Sequence, residues 1–276
     1  LTWWSLEVQD EEATARQGAN KVDLGRSIIG LGGLVSGYSD LGRVGQPSPG
    51  DSGKRVVRLL LPVGLLLAAI GYYGPWIVHR TAALSLSGVD MGEFVKFLPG
   101  ALDGSVGIVR QAFYLPPLAI VIGVALVAGS RQLRYTWLLR GSMLVLAVPV
   151  SLQLLPPAWS PASLAASEFR LQAIALAICW LSLAGFWILG QLSVRVTGLL
   201  GAVLALLAGM LSAWQFFVAQ PAIDAVYRIA PPAGWGFFLC LAGLAIVAVA
   251  NGSLVFLWPY RGVRASGGGE GPWASS

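Results

Sequence analysis

Acid–base chemistry is the first thing the side chains of this protein allow, and they allow little of it. His79 is the only histidine. Beside Asp90 or Glu93 it would form an imidazole–carboxylate pair able to move a proton. Alone near the end of an apolar run, it reads better as a hydrogen-bonding anchor, and one imidazole cannot build a bis-histidine haem. Cys179 and Cys240 fall inside apolar runs, at depths that differ by roughly 6 Å at 1.5 Å per residue, which argues against a disulfide. They belong to no CxxC and no Cys/His cluster, so zinc and iron–sulfur sites are not expected. Gly30-Leu31-Gly32 begins like a dinucleotide fingerprint, but Val35 stands where the third glycine belongs. Gly53-Lys54 ends like a phosphate loop, with Ser48 in place of the first glycine and Arg55 in place of the magnesium-binding hydroxyl. The expectation is therefore no catalytic set, no cofactor and no metal.

The elements that would carry these residues are long and apolar. Six runs stand out, at roughly residues 59–78, 111–129, 136–155, 171–190, 197–217 and 236–257. Each is close to the ~20 residues that an α-helix needs to cross ~30 Å of hydrocarbon. Of the 276 residues, 56% are hydrophobic and 11% charged, and the mean hydropathy is +0.71. The expected fold is all-α: a polytopic bundle of six transmembrane helices, with the lipid bilayer as its solvent. Residues 1–53 are polar and Gly-rich and are expected to be disordered. Residues 54–261 form the membrane domain, and 262–276, with Gly267-Gly268-Gly269, a flexible tail.

Charge orients the bundle. Lys54, Arg55, Arg58, Arg131, Arg134, Arg140, Arg195, Arg261 and Arg264 gather on alternate connections, where no acid joins them. The other connections hold Asp90, Glu93, Asp103, Glu168 and Asp224, balanced by Arg80, Lys96, Arg110, Arg170 and Arg228. Basic excess in short loops marks the cytoplasmic side, so both termini are expected inside. The net charge of +5 is a topology signal and an attraction to anionic lipid. No basic stripe interleaved with aromatics exists to bind nucleic acid. Tyr72, Tyr73, Trp76, Tyr114, Trp159, Trp214 and Trp235 near the outer boundary, and Tyr135, Trp137, Trp258 and Tyr260 near the inner one, form two interfacial belts.

Within lipid, helices pack through small residues. Gly201, Ala205 and Gly209 recur every four residues on one face of the fifth run, which is expected against another helix. Pro116, Pro117 and Pro149 would bend the second and third runs in their outer parts, and such bends would either open an outward vestibule or be absorbed by packing.

The outward connections are the long ones, and two of them read as short amphipathic helices lying flat on the membrane. In the first, residues 90–98, Asp90 and Glu93 have capping-box spacing. There Met91, Phe94, Val95 and Leu98 make one apolar face. In the second, residues 221–230, Ile223, Val226, Tyr227 and Ala230 form the apolar face and Asp224 can pair with Arg228. Trp76, His79, Asp90, Glu93, Lys96, Asp224 and Arg228 thus outline a candidate interaction surface. Ionisable groups are scarce at membrane depth, which disfavours ion-coupled transport. The favoured reading is a non-catalytic accessory or scaffold subunit that docks a membrane-protein partner on its outward face. The alternatives are a facilitator or permease component for a small or apolar solute, and an outer-leaflet lipid-active enzyme using His79, Asp90 and Glu93.

The stretches Tyr72-Tyr73-Gly74-Pro75-Trp76-Ile77, Ser87-Gly88-Val89-Asp90, Glu93-Phe94-Val95-Lys96-Phe97-Leu98-Pro99 and Gly234-Trp235-Gly236-Phe237 resemble multi-span membrane proteins of Chloroflexota-type bacteria. The resemblance covers about residues 57–260. It implies a bacterial cytoplasmic membrane and carries over no activity and no functional residue.

Overall fold

Helix α1 (Pro49–Tyr73) starts on a proline, whose fixed φ suits a first helical turn and whose missing N–H would be unpaired there anyway. A computed structural model describes residues 49–79, 84–104, 106–156, 159–160, 166–227 and 232–257. Residues 49–53, expected to be disordered, are therefore helical: Pro49 and the acidic Asp51 favour a helix start, and the apolar run behind them continues it. Residues 1–48 and 258–276, with the tail expected there, lie outside the described residues.

The first run does not stay helical to residue 78. Pro75 cannot donate to the Gly71 carbonyl, and the Trp76 indole Nε1–H takes that carbonyl instead, at 3.1 Å. Trp, Ile and Val favour extended backbone, and residues Pro75–His79 form strand β1, antiparallel to β2 (Leu84–Ser87). Ile77 lies opposite Leu86, and Val78 opposite Ser85. On its other side Ile77 bridges to Ala233, and the Gly234 N–H donates to the Trp76 carbonyl at 2.7 Å. This small sheet was not expected from the apolar pattern.

The first amphipathic helix is present and begins two residues early. Helix α2 (Gly88–Phe94) runs into a 3₁₀ turn (Val95–Phe97) and then α3 (Pro99–Leu102). Its capping box joins Ser87 and Asp90, not Asp90 and Glu93. The Ser87 hydroxyl accepts from the Asp90 N–H, and the Asp90 carboxylate accepts from the Ser87 N–H at 2.9 Å. Met91, Val95 and Leu98 are buried as their spacing predicts, but in the protein core and not in lipid.

A 3₁₀ turn (Arg110–Tyr114) leads into α4 (Leu115–Gly129). Pro116 and Pro117 sit in the first turn of α4, where the N–H groups have no partner to lose. They start the helix and do not bend it. Helix α5 (Trp137–Leu152) carries Pro149 inside it, as expected. Helix α6 (Arg170–Ala184) stops at Gly185 and resumes as the single turn α7 (Phe186–Leu189).

Helix α8 (Val194–Tyr227) has 34 residues, about 50 Å at 1.5 Å per residue. It absorbs residues 221–227, so the separate second amphipathic helix does not form; residues 228–230 lie outside the described residues. Pro221 removes one hydrogen bond, and the burial of Ala222 and Ile223 beside it keeps the backbone helical. Helix α9 (Trp235–Leu257) completes the bundle.

Four helical segments are long and apolar enough to cross a bilayer: Ser52–Tyr73, Arg110–Gly129, Val194–Val226 and Trp235–Phe256. Helices α5 and α6 are shorter apolar helices. The Arg110–Gly129 segment is 83% buried, against 33–44% for the other three, which puts α4 at the centre. Helices α1, α5, α6 and α8 surround it, and α9 closes the gap between α1 and α8. The outward surface is greasy: Leu59, Val63, Leu66 and Ile70 on α1, and Leu199, Val203, Leu206 and Met210 on α8, are exposed. Apolar patches this large are rare on soluble monomers and ordinary against lipid tails.

Candidate functional site

The polar side chains collect over one end of the bundle, where α1 finishes and α4 begins. Their floor is aromatic. Trp76 is fully buried, with the rings of Phe237, Phe216, Phe113 and Tyr72 at 5.3, 6.0, 6.2 and 6.2 Å. Phe216 and Phe237 stack at 4.2 Å. The Tyr72 hydroxyl donates to the Phe113 carbonyl at 3.1 Å. Helix α2 can settle on this cluster because it opens with Gly88. A Cβ there would fall 2.7 Å from Tyr72 and 2.8 Å from Trp76. Trp76 is therefore a pillar of the core. Its place in the expected interaction surface is corrected, because a large apolar ring with its N–H already bonded has no reason to stay in water.

Above the floor, seven side chains meet. Glu93 accepts from the Tyr114 hydroxyl at 2.7 Å and pairs with Lys96 at 2.7 Å. Lys96 lies 3.6 Å from Glu168, and Arg110 pairs with the same carboxylate at 2.9 Å. Arg110 also donates to the Glu168 carbonyl at 2.7 Å. The Phe169 ring sits under both cations, 5.9 Å from the Lys96 ammonium and 5.8 Å from the Arg110 guanidinium. Gln172, buried at the start of α6, lies beside the Tyr114 hydroxyl. Its Oε1 has no partner among the described residues. Gly92 makes the Tyr114 approach feasible: a Cβ there would lie 2.7 Å from the hydroxyl oxygen.

Burial alone would raise the Glu93 carboxyl. Hydrogen bonds from Lys96 and Tyr114, with the Lys96 and Arg110 charges, outweigh it and hold the group below the usual carboxylate range. A general acid needs the opposite shift, so this carboxylate acts as an anchor for its neighbours. Asp90 is exposed and engaged with Ser87.

Glu93 and Lys96 are the expected site residues that the fold brings together. His79 ends β1, and its side chain and Arg228 lie outside the described residues. Asp224 stands near the end of α8, one carboxylate oxygen buried without a partner among the described residues. Arg110, Tyr114, Glu168 and Gln172 were not picked out as a site. Arg110 and Glu168 are 58 residues apart, and only the packing of two helix starts makes them neighbours. Among the described residues no three His, Cys, Asp or Glu side chains gather to hold a metal.

Two apolar openings lie at helix seams. One of about 140 Å³ separates α1, α4 and α5. The other, of about 250 Å³, opens between α8 and α9 beside Ala205 and Gly209. Gly201 and Ala205 lie against α9: a Cβ on Gly201 would meet the Asn251 side chain at 2.7 Å, and Ala205 is buried. No family model, curated protein or solved structure matches this chain.

Proposed function

We propose that this protein crosses a bacterial cytoplasmic membrane six times, both termini inside, as a non-catalytic accessory or scaffold subunit. Its outward cap, from β1 to the start of α4, docks a membrane-protein partner. Six crossings require the two shorter apolar helices to cross as well. Helix α5 has 16 residues, about 24 Å at 1.5 Å each, a shortfall that local bilayer thinning absorbs. Helices α6 and α7 together continue one apolar rod past Gly185. The basic connections then share one side.

The observation that carries the docking role is how the cap spends its charges. Glu93, Lys96, Arg110 and Glu168 satisfy one another and stiffen the surface. Phe97, Leu102 and Val109 meanwhile remain exposed around them, at 69%, 74% and 50%. A rigid frame with protruding apolar side chains suits a binding surface. A photo-crosslinker at Phe97 or Leu102 should capture one discrete partner, and Phe97→Asp with Leu102→Asp should release it. A chain that purifies alone and crosslinks only to lipid refutes the role. Topology is tested separately: Asp90→Cys should react with an impermeant thiol reagent in intact cells, and Gln132→Cys should not.

The opening between α1, α4 and α5 favours a second reading, a facilitator for a small apolar solute. Flux into proteoliposomes that Ala147→Phe abolishes would select it.

A further inference from the structure

At the basic end of the bundle two arginines head the same apolar cleft. Arg58 begins the α1 face that continues through Pro62, Leu65 and Ala69 (i, i+4, i+7, i+11), and Arg140 begins the α5 face that continues through Met143, Ala147 and Val150 (i, i+3, i+7, i+10). Those residues line the opening of about 140 Å³ between α1, α4 and α5. The loop that joins α4 to α5 touches both residues, at the Arg58 backbone and at the Arg140 guanidinium. Pro62 cannot donate to the Arg58 carbonyl, and the Tyr135 hydroxyl takes that carbonyl at 2.7 Å. Arg140 donates through one terminal nitrogen to the Ser130 carbonyl at 3.2 Å.

What is left over points outside the protein. The Nε–H groups of Arg58 and of Arg140 are both buried, and neither has an acceptor among the described residues. A buried charged donor without an acceptor is rare and needs an explanation, which an anionic ligand would give. The chain supplies no anion nearby among the described residues. Asp51 stands seven residues before Arg58, about 10 Å farther along the helix. An anion at the mouth and hydrocarbon along the cleft describe one kind of molecule.

The geometry points to a binding site for one anionic phospholipid, its phosphate held by the Arg58 and Arg140 Nε–H groups and an acyl chain laid along the α1–α5 cleft. Basic pockets between membrane helices hold anionic headgroups in this manner. The site requires only that the bundle sit in a bilayer; it is independent of what the outward cap docks.

The test uses the full chain, delipidated in neutral detergent and titrated by native mass spectrometry. Phosphatidylglycerol should bind about 30-fold more tightly than phosphatidylcholine of the same chain length, the preference that two arginines at a membrane's headgroup level provide. The double variant Arg58→Gln/Arg140→Gln should bring the two lipids to near parity. Ala147→Phe should weaken both lipids, because it fills the cleft. Millimolar inorganic phosphate should not displace the bound lipid. Equal affinity of wild type for the two lipids overturns the site, and that comparison needs no variant to fold. A preference that survives in the double variant, or displacement by phosphate alone, overturns it as well.

Discussion

Helix α9 makes two antiparallel seams, and they are built on different rules. Against α1 the contact is backbone on backbone. A Cβ on Gly71 would lie 2.7 Å from the Cys240 Cα, and one on Gly243 would lie 2.7 Å from both the Ala68 Cα and the Gly64 carbonyl oxygen. Gly64, Ala68 and Gly71 face Gly236, Cys240 and Gly243, with spacings that alternate four and three. Against α8 the seam starts close and then opens. Gly201 makes room for the Asn251 side chain, but at Gly209 the nearest atom to a Cβ would be Leu244 Cδ1 at 3.7 Å, beside the groove of about 250 Å³. Lipid supplies no hydrophobic drive between helices, so close approach of small residues holds such a bundle together. The α1–α9 seam should therefore hold most of the stability, and the small-residue stripe on α8 rather little.

Replacing Gly243 with Leu is the harshest way to break that comparison. The new side chain meets the α1 backbone, which cannot swing aside, and should destabilise by about 4 kcal/mol or more. Gly252→Ala is the internal control on the same helix, since a Cβ there meets nothing within 4 Å. Unfolding in mixed micelles measures both. If Gly243→Leu unfolds like wild type, the seam does not bear the load assigned to it.

How much of this was legible beforehand depends on the kind of signal. The positions of the apolar helices were readable, because hydrocarbon demands some twenty apolar residues whatever the neighbours do. Met91, Val95 and Leu98 were readable as one buried face for the same local reason. The end of α1 was misplaced because hydropathy does not register that Pro75 removes a donor while Trp76-Ile77-Val78 prefer a strand. Pro221 misled in the opposite sense: it reads as a boundary, but burial of Ile223 keeps α8 intact. The stripe at Gly201, Ala205 and Gly209 drew attention by its even spacing. The tighter seam uses a 4–3 alternation divided between two distant helices, and neither half is conspicuous alone. The polar cap was hidden more deeply. Glu93, Arg110 and Glu168 are local in space and far apart in sequence, so their meeting is a property of the fold.

The stripe on α8 offers a finer test, since its glycines should differ among themselves. Gly201→Ala pushes against Asn251, a side chain that can shift, and should cost about 1–2 kcal/mol. Gly209→Ala enters open space and should be neutral, or stabilising by up to about 1 kcal/mol, because alanine is the better helix former. Equal losses at both positions would mean that the groove is closed in the membrane and that the two seams are alike. Asn251→Leu should have a smaller effect still. The Asn251 amide donates to the Val247 carbonyl at 3.0 Å while its Oδ1, fully buried, has no partner among the described residues. Removing an amide so poorly satisfied should leave stability within about 1 kcal/mol of wild type. A loss above about 2 kcal/mol would show that the seam holds a polar partner for this residue.

The smallest effect separates both seams from the cap. The contact residues of the seams contain no carboxylate or imidazole, so their strength should not change between pH 3 and 8. The cap contains Glu93, whose folded-state pKa lies below its unfolded value of about 4.3. The folded state thus favours the ionised carboxylate, and its stabilisation is complete above the unfolded pKa. It is lost as pH falls through the lower folded value, where protonation deprives Lys96 of its partner. The pairs are partly exposed, so the whole contribution should stay below about 1 kcal/mol. Wild type should be level from pH 8 to about pH 5 and should weaken below about pH 4. Glu93→Gln should lose part of that slope, whereas Gly201→Ala should retain all of it. A wild-type protein that gains stability as pH falls from 6 to 3 would show that Glu93 is not held ionised. The cap could then no longer be treated as a frame braced by charge, in contrast to the packed seams beneath it.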